Sequence, residues 1–264
     1  MLGLLRGLWT YRHFVLSSIV SEFRIRFMRS RLGGFWLILH PLATVAIYVL
    51  VLSEVMAAKL PGIEDKFGYA LYLMAGMLAW SLFSEVTSRS LTLFIENGNL
   101  MKKMAFPRIC MPAILVGSAL LNNLLLLSAI LVVFGILGAF PDYHALWIPL
   151  LILLNLGLAV GFGLFLGVFN VFMRDLGQVM TIVLQFWFWL TPIVYTASIL
   201  PAWAQKVVAF NPLYHVVTAY QKVLVYRQMP NFSDLVPLSL AALVLVVLAL
   251  LLFRKASPEM VDVL

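Results

Sequence analysis

The sequence predicts an all-α integral membrane protein with six transmembrane helices. Hydrophobic residues make up 63% of the 264 positions and charged residues only 11%, whereas soluble domains carry about 25% charged residues. The apolar positions are grouped in runs of about 20, the length at which an α-helix crosses the hydrocarbon core of a bilayer. These runs cover residues 36–57, 69–88, 110–138, 146–172, 178–196 and 235–253.

Residues 4–27, which precede the first run, are predicted to form one amphipathic helix in the membrane interface. Apolar residues recur at every third or fourth position and share one face, while polar residues with the same spacing share another. The apolar positions are Leu4, Leu8, Tyr11, Val15, Ile19, Phe23 and Phe27. Two interpretations are open: a surface anchor in the lipid, or a docking surface for a cytoplasmic partner.

The connection between the second and third runs, residues 96–108, predicts a short helix. Asn99 is a suitable N-cap, and Pro107 would end the helix. Leu100, Met101 and two further apolar side chains give it a larger apolar side than a simple connector needs. Such a surface outside the membrane favours contact with a soluble partner.

The fourth and fifth runs carry residues suited to close packing or to a transport path. Gly157, Gly161, Gly163 and Gly167 form two G-x-x-x-G spacings, which serve packing within one chain as well as dimerisation. The aromatic residues 186–189 lie near the middle of the fifth run, although Trp normally gathers at the membrane surface. These rings either pack against neighbours or offer aromatic faces to a sugar.

Polar side chains inside the runs are expected to bond to neighbouring helices. Four asparagines are placed for this: Asn122, Asn123, Asn155 and Asn170. Glu54 and Glu85 fall within or at the ends of spans. Each is either a carboxylate paired with a nearby cation or a group that couples an ion to transport.

Residues 197–234 predict two short amphipathic helices that partly enter the outer leaflet. Pro201 and Pro212 each suit a first helical turn, and Asn211 is a natural cap before the second helix. The first apolar face comprises Trp203, Val207 and Phe210, and the second comprises Leu213, Val217, Tyr220 and Leu224.

The distribution of Lys and Arg predicts that both termini are cytoplasmic, because cytoplasmic connections are enriched in these residues. Of the 18 Lys and Arg residues, 13 then lie in inner segments. The remaining five lie in outer segments: Lys59, Lys66, Lys206, Lys222 and Arg227.

Several classes of function are disfavoured by what the sequence contains. It has no G-x-x-x-x-G-K-[ST] phosphate loop, and its single cysteine, Cys110, excludes an intramolecular disulfide. The four histidines are scattered and have no partner at metal-ligand spacing. The net charge of +7 comes from residues that flank apolar runs, so nucleic acid is not an expected partner.

Four segments resemble the membrane subunits of ABC-2 type exporters, in particular the Wzm-like permeases that export O-antigen and related lipid-linked polysaccharides. Residues 26–41 resemble the R-Y-x-x-S-x-L-G-x-x-W…N-P start of that family's first span, with Phe27 and His40 in place of the usual Tyr and Asn. Residues 100–108 resemble its L-[IV]-x-K-x-x-F-P-R coupling loop, and residues 170–178 its F-R-D-[IL]-x-Q turn. The segments 191–195 and 211–212 match the exit of the fifth span and the start of an outer helix.

The resemblance implies a single ABC-2 type transmembrane domain over residues 1–264, in the bacterial inner membrane. Residues 1–35 would be a cytoplasmic interface helix and linker, 36–253 the six spans, and 254–264 a cytoplasmic tail. A homodimer would bind two nucleotide-binding ATPase subunits, membrane lipids and a lipid-linked glycan. The partner ATPase would bind ATP and Mg²⁺, so this chain would have no cofactor and no catalytic residue of its own.

The resemblance also implies roles for individual residues. A cytoplasmic coupling helix would dock into the ATPase through Asn99, Leu100, Met101, Lys102, Lys103, Met104, Phe106 and Arg108. Arg26, Arg29 and Arg31 would either anchor the chain or guide an anionic lipid head at the cytoplasmic entrance. Channel aromatics would come from Tyr48, Phe186, Trp187 and Trp189, and two periplasmic gate helices would use Trp203, Phe210, Asn211, Pro212 and Tyr220.

Three other readings remain open from sequence. An ABC-2 exporter could carry a different cargo, such as capsule, teichoic acid or a small drug. An ion-coupled secondary transporter would lack an ATPase partner. An intramembrane enzyme would need converging His, Asp or Glu groups at one depth, and the sequence shows no such set.

Overall fold

The chain is a helical, multi-pass membrane protein. The computed structural model describes residues 2–28, 35–36, 39, 42–43, 46–47, 67–103 and 107–264. Within these residues, four helical segments are long and apolar enough to cross a membrane, and they are Gly68–Glu96, Cys110–Ile136, Tyr143–Phe172 and Phe232–Val263. The predicted first span, 36–57, falls largely outside the described residues.

The helices of the described residues are numbered here in chain order. The N-terminal pair is α1 (Leu2–Thr10) and α2 (Arg12–Met28), and α3 (Gly68–Glu96) is followed by the short α4 (Gly98–Lys103). The next long helices are α5 (Cys110–Ile136), α6 (Ile148–Phe172, after a 3-10 turn at Tyr143–Trp147) and α7 (Asp175–Leu190). Two short helices, α8 (Ala202–Ala209) and α9 (Pro212–Gln221, with a π-helical turn at Lys222–Tyr226), precede α10 (Phe232–Val263).

The glycines of α6 let that helix approach α3 on one side and α10 on the other. A Cβ at Gly163 would lie 2.9 Å from Ser90 Cβ, and one at Gly167 would overlap the Ser90 carbonyl oxygen. On the opposite side, a Cβ at Gly161 would lie 2.8 Å from Leu245 Cβ. Both G-x-x-x-G spacings therefore serve packing within the chain.

All four asparagines predicted to bond across helices reach α3. The side-chain amides of Asn123, Asn155 and Asn170 donate to the carbonyls of Leu78, Ala79 and Leu91 at 3.0, 2.7 and 2.8 Å. Asn122 donates to Glu85 Oε1 at 2.7 Å. The prediction is confirmed, and α3 is the element that these bonds share.

The N-terminal amphipathic segment was predicted to be one helix over 4–27. The structure instead has two helices, separated by a turn at Tyr11. Backbone bonds from Tyr11 N to Gly7 O and from Val15 N to Tyr11 O keep the two helices nearly continuous. Ile19, on the predicted apolar face, is buried and fills a notch on α5 where Gly117 has no side chain. That part of the face packs on the chain itself.

Helix α7 is shorter than the predicted fifth span, which was expected to continue to residue 196. Its 16 residues extend about 24 Å, less than the hydrocarbon core of about 30 Å. The helix ends at Leu190 because Pro192 follows and holds Thr191 in an extended conformation (φ −102°, ψ 127°). The chain therefore leaves α7 as irregular backbone.

One smaller prediction also needs correction. Asn99 is not an N-cap: it lies inside α4, and Asn97 ends α3 and accepts the backbone bond from Met101. The predicted tail, residues 254–264, is helical, since α10 continues through it to Val263.

The connections between helices lie at two ends of the molecule. At one end, Pro107 lies beside Gly7, and Leu264 lies beside Gly98. At the other end, Arg227 Nη2 donates to Phe140 O at 3.2 Å. The end with α1, α2 and α4 is called the N-terminal end below, and the opposite one the loop end.

Candidate functional site

The aromatic run of α7 divides between its two sides. Trp187 turns inward, where its ring lies 5.3 Å from that of Phe83 and 5.4 Å from that of Phe162. Phe186 and Trp189 are 67% and 56% exposed. Of the three α7 residues predicted as channel aromatics, only Phe186 and Trp189 present open faces, and Trp187 is a packing residue.

A cavity of about 440 Å³ lies between α3 and α7 beside Trp189. Aromatic and polar side chains line it together, and they include Trp80, Phe188, Trp189, Ser84, Ser88, Thr181 and Gln185. Ligand sites combine apolar and aromatic walls with a few polar groups that fix orientation. The lining can therefore stack against one face of a ring and accept or donate hydrogen bonds at its edge.

The irregular backbone after α7 is held by buried side chains. Tyr69 Oη donates to Val194 O at 2.7 Å, Tyr72 Oη to Tyr195 O at 3.2 Å, and Gln221 Nε2 to Pro192 O at 3.3 Å. Non-helical backbone at membrane depth is tolerated where protein surrounds it and satisfies its polar groups. The segment 191–195 meets this condition, which explains why the predicted span could end early.

Asn211 ties the end of α7 to the start of α9. Its Oδ1 accepts the Leu213 N–H at 3.0 Å as the predicted N-cap and the indole N–H of Trp187 at 2.9 Å. Its Nδ2 donates to Thr191 Oγ1 at 2.9 Å. The cap was predicted from sequence, but its bond to Trp187 joins residues 24 positions apart and has no local sequence signal.

The two short helices predicted as gates differ in their surroundings. On α8, Trp203 and Val207 are 72% and 59% exposed, and Phe210, which directly follows the helix, is 90% exposed, so the shared apolar face points outward. On α9, the predicted apolar face, which includes Tyr220, is buried against α3 and α6. Pro212 occupies the first turn of α9 as predicted. The second helix is thus part of the core and does not dip into lipid along that face.

A second cavity, of about 460 Å³, lies at the loop end between α9 and the irregular exit of α7. Its lining includes Tyr72, Tyr214, Gln221, Lys222 and Tyr226. Asp142 also lies at the loop end. Burial raises the pKa of its carboxyl, but hydrogen bonds from the ring and backbone N–H of His144 outweigh this effect and leave that pKa below its usual value.

The predicted coupling residues are only partly available for a partner. Asn99, Leu100 and Lys102 are exposed, whereas Met101 is buried in the core of its own chain. Arg108 Nη1 donates to Ser257 O at 2.6 Å and to Ser257 Oγ at 2.8 Å, which fastens the connection to α10. The side chain of Lys103, together with Met104 and Phe106, lies outside the described residues.

The predicted entrance residues and one channel aromatic also lie outside the described part of the chain. These are Arg29, Arg31 and Tyr48, and for Arg26 the side chain is outside it too. Within the described residues, no group of three or more His, Cys, Asp or Glu side chains is arranged to hold a metal ion.

The N-terminal end carries an ion-pair cluster that the sequence did not predict. Arg89 contacts Glu22 of α2, and its Nη1 lies 3.3 Å from Glu85 Oε1. Glu85 is thus a carboxylate paired with a cation, one of its two interpretations. The i,i+4 spacing of Glu85 and Arg89 was a usable signal, but no pattern pointed to Glu22.

Known proteins similar to this chain cover nearly its whole length. It is 27% identical over 264 residues, 99% of each chain, to the O-antigen export system permease protein RfbA of Myxococcus xanthus. It is 25% identical over 245 residues, 92% of each chain, to the protein of the same name from Klebsiella pneumoniae. To the polysialic acid transport protein KpsM of Escherichia coli it is 24% identical over 250 residues, 93% of this chain and 94% of that one.

The ABC-2 type transporter family matches residues 15–225. This range begins in α2 and ends just after α9. It includes the four asparagines that bond to α3 and the irregular backbone that follows α7. Because it covers most of the chain, the likeness expected from four short segments is confirmed. The chain belongs to the ABC-2 type transporter family.

Proposed function

We propose that this chain is the membrane-spanning permease subunit of an ATP-driven exporter that moves a lipid-linked polysaccharide out of the bacterial cytoplasm. The cavity between α3 and α7 carries this proposal. It places the exposed ring of Trp189, together with the more buried Trp80 and Phe188, beside hydroxyl and amide groups, which is the chemistry that a sugar chain needs for weak, sliding contact. The full-length similarity to O-antigen export permeases supports the same cargo class.

The proposed arrangement has six spans with both termini in the cytoplasm of a bacterial inner membrane. Thirteen Lys and Arg residues against five favour this orientation. A span at 36–57 would join α2 at the N-terminal end to the start of α3 at the loop end. The short α7 completes the six because irregular backbone buried in protein continues it.

The proposed partners are a second copy of this chain and two ATPase subunits. ATPase docking is proposed at the N-terminal end, where Leu100 and Lys102 are exposed on α4. Only Met180 and Leu184 of α7 are buried, so most of this helix is free to line a path between two copies. The exposed apolar face of α8 would then sit at the exit.

Paired substitutions test the aromatic contact. Trp189→Ala, in the cavity, and Phe186→Ala, on the exposed surface of α7 outside it, should lower the amount of surface polysaccharide, whereas Leu243→Ala should not. Leu243 is a suitable control because it is 61% exposed on α10, on no cavity described above. The measurement is surface polysaccharide in cells with equal membrane levels of each variant. Equal losses for all three variants would remove the case for an aromatic path.

A capsule-type cargo is the second candidate, because the polysialic acid transport protein is similar over nearly the whole chain. The two candidates differ in which polysaccharide disappears from the cell surface when this chain is absent.

A further inference from the structure

Arg89 joins three helices at the N-terminal end. Its Nη2 contacts Glu22 of α2, and its Nη1 lies 3.3 Å from Glu85 Oε1 of its own helix α3. The same Nη1 donates to Ser118 Oγ of α5 at 3.0 Å. Asn122, also on α5, donates to the Glu85 oxygen at 2.7 Å. One guanidinium therefore connects α2, α3 and α5.

These charges are partly withdrawn from solvent. The side chains of Arg89 and Glu85 are 24% and 26% exposed, and that of Glu22 is 36% exposed. A fully exposed ion pair contributes little, but a partly buried charge that loses its partner is poorly compensated. The planar guanidinium of Arg89 also holds the helices in a defined relative position, because its two terminal nitrogens bond to different helices.

Helix α2 packs against α5 and reaches α3 through this side chain. Ile19 fills the notch at Gly117 of α5. Between α2, α3 and α4 there is instead a cavity of about 840 Å³, whose lining includes Glu22, Arg89, Glu96 and Leu100. The ion pair thus bridges the edge of an open space that also borders the exposed part of α4.

We propose that Arg89 is a positioning residue through which movement of α2 reaches the membrane spans, with Glu22 as its attachment point on α2. The inference rests on the proposed function, because an ATPase bound at the N-terminal end supplies the movement. When α2 shifts, the guanidinium draws α3 and α5 with it, since it is bonded to all three. Loss of Glu22 leaves α2 attached to α5 through Ile19 but removes its ion pair with α3.

The test uses the complete complex of this chain with its ATPase. Glu22→Gln should leave complex assembly, membrane level and ATP hydrolysis near those of the wild type. Surface polysaccharide should fall by about fivefold or more, the lower end of usual coupling between sites. Arg89→Lys keeps the positive charge but loses the two-pronged guanidinium. Its amount of surface polysaccharide should lie between those of the wild type and Glu22→Gln. Glu259→Gln, an exposed carboxylate of α10 near the same end, should behave as the wild type.

A double-mutant cycle separates transmission through the pair from two independent effects. If Glu22 acts through Arg89, the variant with both Glu22→Gln and Arg89→Gln is no more impaired in export than Arg89→Gln alone. Additive losses would overturn the proposal, and so would wild-type export by Glu22→Gln.

Two other outcomes would also overturn it. Loss of the ATPase from the purified Glu22→Gln complex would make Glu22 a docking residue, and a membrane level that falls in proportion to export would make it a structural one. A different result would contradict the proposed function itself: cells from which the whole chain is removed would keep an unchanged amount of surface polysaccharide.

Discussion

Individual buried polar residues fasten the long helices to α3. Asn170 is the clearest case: its Nδ2 donates to Leu91 O of α3 at 2.8 Å, and its Oδ1 accepts the Gly177 N–H of α7 at 2.8 Å. The sequence predicts that such residues bond across helices because few alternatives exist in an apolar run. It does not show which helix receives the bond, because periodicity describes one helix at a time.

Replacement of Asn170 tests this double bond. Asn170→Ala removes both bonds and leaves the partly buried Gly177 N–H without its partner, so we expect a loss of about 1–3 kcal/mol in the free energy of unfolding. The measurement is the thermal unfolding midpoint of the protein in detergent. Gln178→Ala, at an exposed position of α7, is the control, and a midpoint equal to that control would contradict the assignment.

The indole N–H of Trp187 offers a second residue-scale test. Trp187→Phe keeps an aromatic ring against Phe83 and Phe162 but loses the 2.9 Å bond to Asn211. One hydrogen bond contributes about 1 kcal/mol, so a lower unfolding midpoint is expected. Trp189→Phe, whose ring is exposed, should leave the midpoint unchanged. The opposite order would mean that Trp189, not Trp187, holds the exit of α7.

Among the elements, the long apolar helices could be predicted from composition. The early end of α7 and the burial of α9 depend instead on tertiary contacts. Hydropathy extends the fifth span through 191–196 because no charged residue interrupts this stretch and Ile193 and Val194 continue the apolar run. Its early end follows from Pro192 and from the donors Tyr69, Tyr72 and Gln221, which come from distant positions. The burial of α9 likewise could not be read from its own amphipathic face, which fits lipid or protein equally well.

The packing of α6 gives a matched pair of glycine substitutions. A Cβ at Gly167 would overlap the Ser90 carbonyl oxygen of α3, whereas one at Gly157 would lie 3.5 Å from Ala242 Cβ, an ordinary contact. Gly167→Ala should therefore cost about 1–3 kcal/mol of stability through overpacking, and Gly157→Ala should be tolerated. Unfolding midpoints in detergent provide the comparison. Equal tolerance of both changes would contradict the close approach of α6 to α3.

For the whole molecule, the sequence identified the family and the membrane class through motifs spread along the chain. It did not reveal how the N-terminal end is assembled. Glu22, Arg89 and Ser257 belong to different segments, and their partners are brought together by folding. The proposed coupling surface is accordingly smaller than the motif suggests, since Met101 is buried and Arg108 is bonded to Ser257.

The orientation of the molecule can be tested with reporters. We expect a reporter fused at Asp142, at the loop end, to lie outside the cytoplasm, because cytoplasmic connections are enriched in Lys and Arg and 13 of these 18 residues lie in the segments predicted to be inner. A reporter fused after Leu264 should be cytoplasmic. An alkaline phosphatase that is active at Asp142 and inactive after Leu264 is the expected pair of results, and the reverse pair would overturn the arrangement.

Export of a lipid-linked polysaccharide is tested most directly by comparing surface and internal glycan in cells with and without this chain. Cells that lack it are expected to lose the polysaccharide from their surface and to accumulate lipid-linked glycan inside. Expression of the wild-type chain should restore the surface polymer. An unchanged surface together with no internal accumulation would show that the chain does not export such a glycan.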